Sequence, residues 1–330
     1  MRTIKLSILM PAFNVAAYID QAIVSILDQT FSEFELIIVN DGSTDSTEAI
    51  VRSYHDPRII LINQSNKGIA ASLNLGLRSA KAEYIARFDA DDICYPERLR
   101  KQYEFMISHP DYIIIGSTAD YIDENGDYVF TNELPAYSNE AIKDICKKHC
   151  PFIHSSVMYK KQLAIHLGGY NEHAHSFEDH LLWRSVLQNG KAINFPEPLI
   201  QVRLNANSIT IDEQWRPKQF HQIKNKVLEE NCITAEQGEQ LRQIIQSQNT
   251  ARVKESAYHT LLAKKYLWNN YQPCKARTNL GKVIVKNKMH WKSYCFYALS
   301  FLPKQVLLDG YKLFKRQPFP VPPQPNIHAR

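Results

Sequence analysis

The first 120 residues alternate between short apolar runs and segments with helical spacing, and this alternation limits the fold more than any other feature of the sequence. Five runs have the length of strands and are rich in Ile, Leu and Val, which is typical of strands buried on both faces. They are Leu6–Phe13, Phe34–Asp41, Arg58–Gln64, Glu83–Ala90 and Tyr112–Ala119. Between the first two, Ile19, Ile23 and Ile26 repeat at intervals of three and four, as on one face of a helix. The pattern predicts an α/β fold with a mostly parallel central sheet flanked by helices.

Polar residues collect where four of these runs end. Asn14 follows the first run, Asp41 closes the second, Asn66 follows the third, and the stretch "RFDADDICYP" (Arg87–Pro96) closes the fourth. In open parallel sheets, ligands bind beyond the carboxyl ends of the strands. We therefore expect one ligand site at this edge of the sheet. Glycine amides do not form it, because G-x-G-x-x-G and G-x-x-x-x-G-K-[ST] are both absent.

The fourth strand end holds three carboxylates, Asp89, Asp91 and Asp92. Two carboxylates at i and i+2 suit a hard divalent cation, Mg²⁺ or Mn²⁺, whose other ligands would be water and diphosphate oxygens. The alternative is that Asp91 or Asp92 caps the helix that begins near Pro96. Three acids exceed what one cap needs, which favours a metal and diphosphate site.

Five stretches, in order, resemble the sequence blocks of the inverting family 2 glycosyltransferases. They are "SILMPAFNVAAYIDQAIVSILDQTFSEFELIIVNDGSTDST", "NKGIAASLNLGLRSAKAEYIARFDADDICYPERL", "HSSVMYKK", "LGGYNE" and "FEDHLLWRSV", and they lie between Ser7 and about Thr210. The resemblance implies a GT-A type nucleotide-sugar fold, a divalent metal, and transfer of one sugar with inversion. The Q-x-x-R-W signature of processive members is absent, so a non-processive enzyme is expected.

The resemblance also implies donor-binding residues. Pro11, Phe13 and Asn14 lie in the loop that meets the nucleobase, where Phe13 would stack on a pyrimidine. Asn66 and Gly68, in "NKGIAASLN", belong to the same donor site.

Asp41, in "NDGSTD", matches the acid that accepts the uracil imide proton. Its alternative role is a turn or helix cap. Asp45 and Glu48 form a capping box of their own, and we therefore expect Asp41 to be left free for the ligand.

Asp89 corresponds to the first acid of the family's D-x-D motif, near the ribose and the metal, and Asp91 to the second, the direct metal ligand. Asn205 stands where many relatives have a histidine, and Leu73 replaces a common arginine near the diphosphate. Charge compensation at the diphosphate would then rest on the metal, Arg203 or Lys67.

Apolar residues at a spacing of four in "SFEDHLLWRSV" predict a helix that opens on Glu178 and Asp179. The family places its general base in such an E-D pair. The resemblance assigns Asp179 as the base that takes the acceptor proton, with Glu178 in support and His180 as a weaker candidate. Alternatively, both acids only stabilise a helix N-terminus.

The end of the chain differs in composition from the rest. From Ala251 onward, 15 Lys or Arg stand against two acids, a net charge of +13, whereas the first 250 residues carry −8. We predict a catalytic domain over residues 1–212, a basic helical appendage over 213–317 and an extended or disordered tail over 318–330. The appendage either lies on an anionic membrane surface or packs on the catalytic domain with a solvated lysine face.

These features predict a cytoplasmic enzyme, peripheral on the inner face of the cell membrane. It would move a hexosyl or N-acetylhexosaminyl group from a nucleotide-sugar, with UDP favoured, to a saccharide or lipid-linked saccharide in cell-surface polysaccharide synthesis. No nucleic-acid partner is expected. Two alternatives stay open: a metal-dependent nucleotidyltransferase, and a nucleic-acid-binding protein that uses the basic tail.

Overall fold

The computed structural model describes residues 4–206, 216–247, 251–307 and 309. Its strands are β1 (Leu6–Ala12), β2 (Phe34–Asp41), β3 (Ile59–Gln64), β4 (Tyr84–Arg87), β5 (Ile93–Cys94), β6 (Tyr112–Ile122), β7 (Tyr128–Asn132), β8 (Met158–Lys160) and β9 (Lys191–Arg203). Each of the five predicted strands is present. The predicted α/β fold is confirmed.

Helices separate most of these strands. They are α1 (Ile19–Leu27), α2 (Thr47–Arg52), α3 (Ile69–Ser79), α4 (Arg98–Ser108), α5 (Asn139–Ile145), α6 (Lys161–His166), α7 (Glu178–Val186), α8 (Lys218–Glu230), α9 (Ala235–Ser247), α10 (Ala251–Trp268), α11 (Pro273–Lys286) and α12 (Trp291–Leu299). The predicted apolar face of α1 is buried, with Ile19, Ile23 and Ile26 fully covered. The helical appendage near the end of the chain is also present.

Among the described residues, the strands form one sheet in the order β3-β2-β1-β4-β8-β6-β9-β5, with β7 paired to β6. The four strands nearest the start of the chain are parallel to one another. Every residue of β2 is buried, as expected for a strand covered on both faces. The carboxyl ends of β1, β2, β3 and β4 therefore meet at one edge, where the polar residues were predicted to collect.

The other half of the sheet is mixed rather than parallel. β8 is antiparallel to both β4 and β6, whereas β9 is parallel to β6. A short turn with Gly126 in the left-handed region joins β6 to β7 and makes that pair antiparallel. The run that forms β6 is the last one in the alternation of apolar runs and helices, so the sequence carries no such pattern for β7, β8 and β9.

The chain divides into two compact units, Met1–Tyr258 and His259–Arg330. Helices α8 and α9 belong to the first unit, where Phe220 and Val227 pack with Phe177 and Leu181 around the start of α7. The predicted boundary between residues 212 and 213 and the predicted tail at 318–330 lie outside the described residues. The domain assignment stays a prediction.

Gly116 marks the tightest packing in the middle of the sheet. A Cβ added there would overlap Asn194 Oδ1 and lie 2.8 Å from Phe152 Cδ1. Asn194 cannot move aside easily, because its amide donates to the carbonyls of Ala136 and Pro151 at 2.8 and 2.9 Å. Only glycine fits at this position of β6.

We expect Gly116→Ala to destabilise the protein by about 1–3 kcal/mol, because overpacking a filled core forces its neighbours apart. Thermal or urea unfolding measures the change. Gly281→Ala is the matched control: its Cβ meets no atom within 4 Å, and alanine is the better helix former by about 1 kcal/mol. A Gly116→Ala protein that unfolds like wild type would contradict this packing.

Candidate active site

The loops after β1 and β2 are fastened to each other at the predicted ligand edge. Asn14 has a left-handed backbone (φ 51°); its Oδ1 accepts from the Thr44 amide at 2.8 Å, and its own amide donates to Ser43 Oγ at 3.0 Å. Asn14 thus holds the two loops together. Beside it, Pro11 is half-buried at the end of β1 and Phe13 is 46% exposed, which leaves the Phe13 ring open to a base.

The sequence predicted that Asp41 would be left free for the ligand, and this prediction is wrong. Asp41 holds the next loop in place through hydrogen bonds. Its Oδ1 accepts from Gln64 Nε2 at 2.7 Å and the Lys67 amide at 2.9 Å, and its Oδ2 from the Gly68 amide at 2.8 Å. These bonds hold the loop of Asn66 and Gly68 in place. A carboxylate has about four acceptor positions, so one on Oδ2 remains for a ligand.

The predicted capping box of Asp45 and Glu48 is also wrong. Asp45 accepts from the amides of Thr47 and Ala16, both at 3.0 Å, and so joins α2 to the loop after β1. Glu48 turns away and pairs with Arg52 at 2.7 Å. Glu48 therefore pairs with a residue one helical turn later instead of closing the capping box.

The three acids after β4 have separate surroundings. Asp89 pairs with the buried Arg87, Asp91 Oδ2 accepts from Asn205 Nδ2 at 3.1 Å, and Asp92 Oδ1 accepts from a backbone amide of β9 at 2.9 Å. None of them caps a helix, because α4 begins after Glu97. The capping alternative is therefore wrong.

Burial and mutual repulsion raise the pKa values of two of these acids. The pKa of Asp91 rises to about 6, first through burial and then through the charge of Asp89. Burial, followed by the charges of Asp91 and Asp89, raises the pKa of Asp92 well above its usual range. A cation placed between Asp89 and Asp91 would relieve this repulsion.

The residues present fit a divalent cation that takes only part of its ligands from the protein. Among the described residues, no three His, Cys, Asp or Glu side chains converge as a complete metal centre. Asp89 and Asp91 would supply two hard oxygen ligands and leave the other positions to water and diphosphate oxygens, as is common for Mg²⁺.

Arg203 lies behind the Asp91 loop rather than in front of it. It is 3% exposed, and its guanidinium donates to the Asp91 carbonyl at 2.9 Å and to Gln21 Oε1 at 2.8 Å. It also stacks over the Tyr18 ring at 4.7 Å. These contacts favour a positioning role for Arg203 over contact with a diphosphate. Lys67, by contrast, is exposed at the site.

The predicted helix α7 opens on Glu178 and Asp179, and these two acids differ in environment. Glu178 is 5% exposed, and burial, then the charge of Asp179, raises its pKa to about 7. The charges of Arg87 and Asp89 act on it as well. The start of α7 and the end of β4 therefore lie close enough for their charges to interact.

Asp179 is half-buried and oriented by two donors. Its Oδ1 accepts from the His180 amide at 2.7 Å and its Oδ2 from the Cys150 thiol at 3.4 Å. The His180 ring is buried against the Cys146 carbonyl at 2.8 Å, and burial lowers its pKa. These contacts favour Asp179 over His180 as the base.

Three residues of the site had no assigned role in the sequence. Arg87 is a charge inside an apolar run, which is itself a signal, because a buried arginine requires a partner. Ser155 and Cys150 gave no such signal in the sequence, because their contacts join distant segments of the chain. The Ser155 hydroxyl accepts from the Asp89 amide at 3.0 Å.

A sequence comparison then decides the family. A family model described as Glycosyl transferase family 2 matches residues 7–168. The amylovoran biosynthesis glycosyltransferase AmsE of Erwinia amylovora is 31% identical over 201 residues, which make up 60% of this chain and 74% of that protein. The chain belongs to glycosyltransferase family 2. The predicted family is confirmed, and membership removes the nucleotidyltransferase alternative.

Solved structures share the fold of this family 2 glycosyltransferase. TarS 1–349 of S. aureus in complex with UDP-GlcNAc has a TM-score of 0.54 and 16% identity, over 96% of this chain and 94% of that chain. The mannosyltransferase PcManGT from Pyrobaculum calidifontis, in complex with GDP-Man and Mn²⁺, has a TM-score of 0.52 and 15% identity, over 96% and 88%. At these identities the likeness concerns the fold alone, and it confirms the predicted GT-A type.

Glu178 should make stability depend on pH. The folded protein keeps its proton up to about pH 7, whereas the unfolded chain releases it near pH 4.5. The folded state therefore binds more protons in this window, and stability falls as pH rises through it.

We expect Glu178→Gln, which cannot ionise, to gain stability relative to wild type between about pH 5 and pH 8, by on the order of 1–3 kcal/mol. Urea unfolding at both pH values measures the difference. Glu229→Gln, at an exposed glutamate of α8, is the control and should change stability little. Parallel pH profiles of wild type and Glu178→Gln would show that Glu178 ionises normally in the folded protein.

Proposed function

We propose that this glycosyltransferase moves one sugar from a nucleotide-sugar to a saccharide or lipid-linked saccharide acceptor, with inversion, in the synthesis of a cell-surface polysaccharide. One observation carries the proposal: residues 150–155 bond to both acid pairs, because the Ser155 hydroxyl accepts from the Asp89 amide at 3.0 Å and the Cys150 thiol donates to Asp179 Oδ2 at 3.4 Å. One acid pair suits the donor diphosphate and the other the acceptor hydroxyl. The relative AmsE, named for amylovoran biosynthesis, supports the polysaccharide role.

The donor half of the site lies at the ends of β1, β2 and β4. The exposed ring of Phe13 would stack on the nucleobase, and the remaining acceptor position of Asp41 would take the imide proton of uracil. We favour UDP and a hexosyl or N-acetylhexosaminyl group. TarS binds UDP-GlcNAc, which supports this choice, whereas PcManGT binds GDP-Man.

Asp91 and Asp89 would hold Mg²⁺ or Mn²⁺ against the donor diphosphate. When bound, the cation supplies charge neutralisation to the leaving diphosphate. The chain supplies the geometry: Asn205 orients the Asp91 carboxylate, and Arg203 holds the backbone of the Asp91 loop. Lys67 is the exposed side chain that would add positive charge near the phosphates.

Asp179 would act as the general base. The acceptor oxygen attacks the anomeric carbon on the face opposite the diphosphate, the bond from that carbon to the diphosphate breaks, and the hydroxyl proton passes to Asp179. A single displacement of this kind inverts the anomeric centre. Cys150 and the amide of His180 orient the Asp179 carboxylate for the transfer.

We further propose that the protein works in the cytoplasm, at the inner face of the membrane, where a lipid-linked acceptor would be presented. Within the described residues, we find no helix with the length and apolar content needed to cross a bilayer. Any membrane contact of this part of the chain would therefore be peripheral.

The donor site can be tested by thermal shift with UDP, GDP, CMP and dTDP, each with and without MnCl₂. A ligand at a hundredfold excess over its Kd stabilises the fold by about 2.7 kcal/mol and so raises the melting temperature. We expect UDP to do this only with metal, because the cation would hold its diphosphate. Asp91→Ala should abolish the shift, and Asp144→Ala, at an exposed acid of α5, should keep it. A shift that survives Asp91→Ala would refute the metal site.

The base can be tested by release of UDP from the preferred donor in the presence of alkyl glycosides. We expect Asp179→Asn to lower kcat by about 10²–10⁴-fold, the usual contribution of a general base, while the nucleotide-induced thermal shift stays as in wild type. Glu178→Gln should lose far less, since its carboxyl is already protonated over part of the working range. Equal losses in both variants would contradict the assignment of Asp179.

A further inference from the structure

Exposed apolar side chains are concentrated in one short segment of the second unit. Thirteen large apolar side chains are exposed among the described residues, and eight of them lie between Val285 and Val306. The other five are scattered singly over the first unit, as on any soluble protein. Met289, Val285 and Trp291 are 89%, 77% and 66% exposed. A cluster of this kind marks an interaction surface.

Helix α12 in this segment buries two serines and packs one ring, Phe296, against Trp268 at 5.8 Å, but it leaves its other aromatic side chains exposed. Ser293 and Ser300, at and just after the helix, are buried at 0% and 1% exposure, whereas Trp291, Tyr294 and Tyr297 point outward. A surface helix ordinarily buries its apolar stripe and exposes its polar one. Here three aromatic side chains stay in water, and a partner that covers them would gain the free energy of burying their apolar surface.

The charge around this face is of one sign. Residues 256–308 contain nine Lys or Arg and no Asp or Glu. Lys286, Lys288 and Lys292 are exposed next to the aromatic and aliphatic residues. The partner must therefore offer apolar depth and negative charge together.

We propose that this docking face, defined as Val285, Met289, Trp291, Tyr294 and Phe301, inserts into the headgroup region of an anionic bilayer, with the flanking lysines on lipid phosphates. Anionic lipid supplies both required properties. A second copy of the chain would bring another positive surface. Nucleic acid would stack on the aromatic rings, but it offers nothing to the two most exposed side chains, which are aliphatic.

The proposal deepens the peripheral membrane location given above and is independent of the transfer reaction. Binding to vesicles needs neither donor nor metal, so its failure would leave the donor and base assignments untouched. In the same way, an enzyme without the expected nucleotide shift could still bind lipid.

The test is co-sedimentation of the full-length protein with vesicles of phosphatidylcholine, alone or with about one third phosphatidylglycerol. We expect binding only to the anionic vesicles, and at least a tenfold loss of affinity in the double variant Met289→Glu and Trp291→Glu. The matched control places the same charges at exposed apolar positions of the first unit, Val24→Glu and Ile107→Glu. The control should bind like wild type.

A third variant separates the contribution of charge. Lys286→Glu with Lys288→Glu should weaken binding and reduce its salt dependence. Three results would overturn the proposal: wild type that ignores anionic vesicles, docking-face variants that bind as well as wild type, or salt-dependent binding to random DNA without binding to vesicles. Self-association of wild type that the docking-face variant abolishes, again without vesicle binding, would assign the face to a second copy instead.

Discussion

The acids of the candidate active site depend on a buried positive charge. Arg87 ends β4 at 2% exposure and pairs with Asp89. Burial raises the pKa values of Asp91 and Glu178, and Arg87 acts against both rises. A buried arginine keeps its charge, so it requires anions around it, and these anions in turn require the arginine. This mutual dependence allows the carboxylates after β4 and at the start of α7 to lie near one another, although an isolated cluster of buried acids would repel.

A second group of polar residues serves the loops rather than a ligand. The side-chain oxygens of Asn14, Asp41 and Asp45 each accept hydrogen bonds from backbone amides of neighbouring loops. Since the loops at the end of a parallel sheet have no regular partners for their amides, side-chain oxygens satisfy them. The shape of the donor site is therefore set by the same residue types that would bind the donor, and Asp41 can do both because a carboxylate has acceptor positions to spare.

The sequence predicts well what depends on periodicity and on neighbours along the chain. The buried strands were predicted from run length and composition, and the inward face of α1 and the helix that opens on Glu178 from spacing. The polar residues at the strand ends predicted the edge of the sheet where the candidate site lies. It fails where the decisive contact joins distant segments. Two examples are the hydrogen bond from Cys150 to Asp179 and the position of Arg203 behind the Asp91 loop. Both depend on how β9 and residues 150–156 return to the sheet. Neither a sequence motif nor the periodicity of apolar residues predicts how these segments return to the sheet.

The distribution of charge along the chain agrees with the two proposed binding surfaces, the donor site and the docking face. The first 250 residues carry a net −8, although a nucleotide-sugar is itself an anion. An acidic catalytic region would bind the proposed donor diphosphate more readily if positive charge were concentrated at the binding point, and a divalent cation between Asp89 and Asp91 would supply that charge more compactly than side chains do. Basic residues are then not needed in quantity around the donor. They are collected instead beyond Ala251, beside an outward-facing aromatic helix, where long-range attraction to anionic lipid would operate without drawing free nucleotides away from the site.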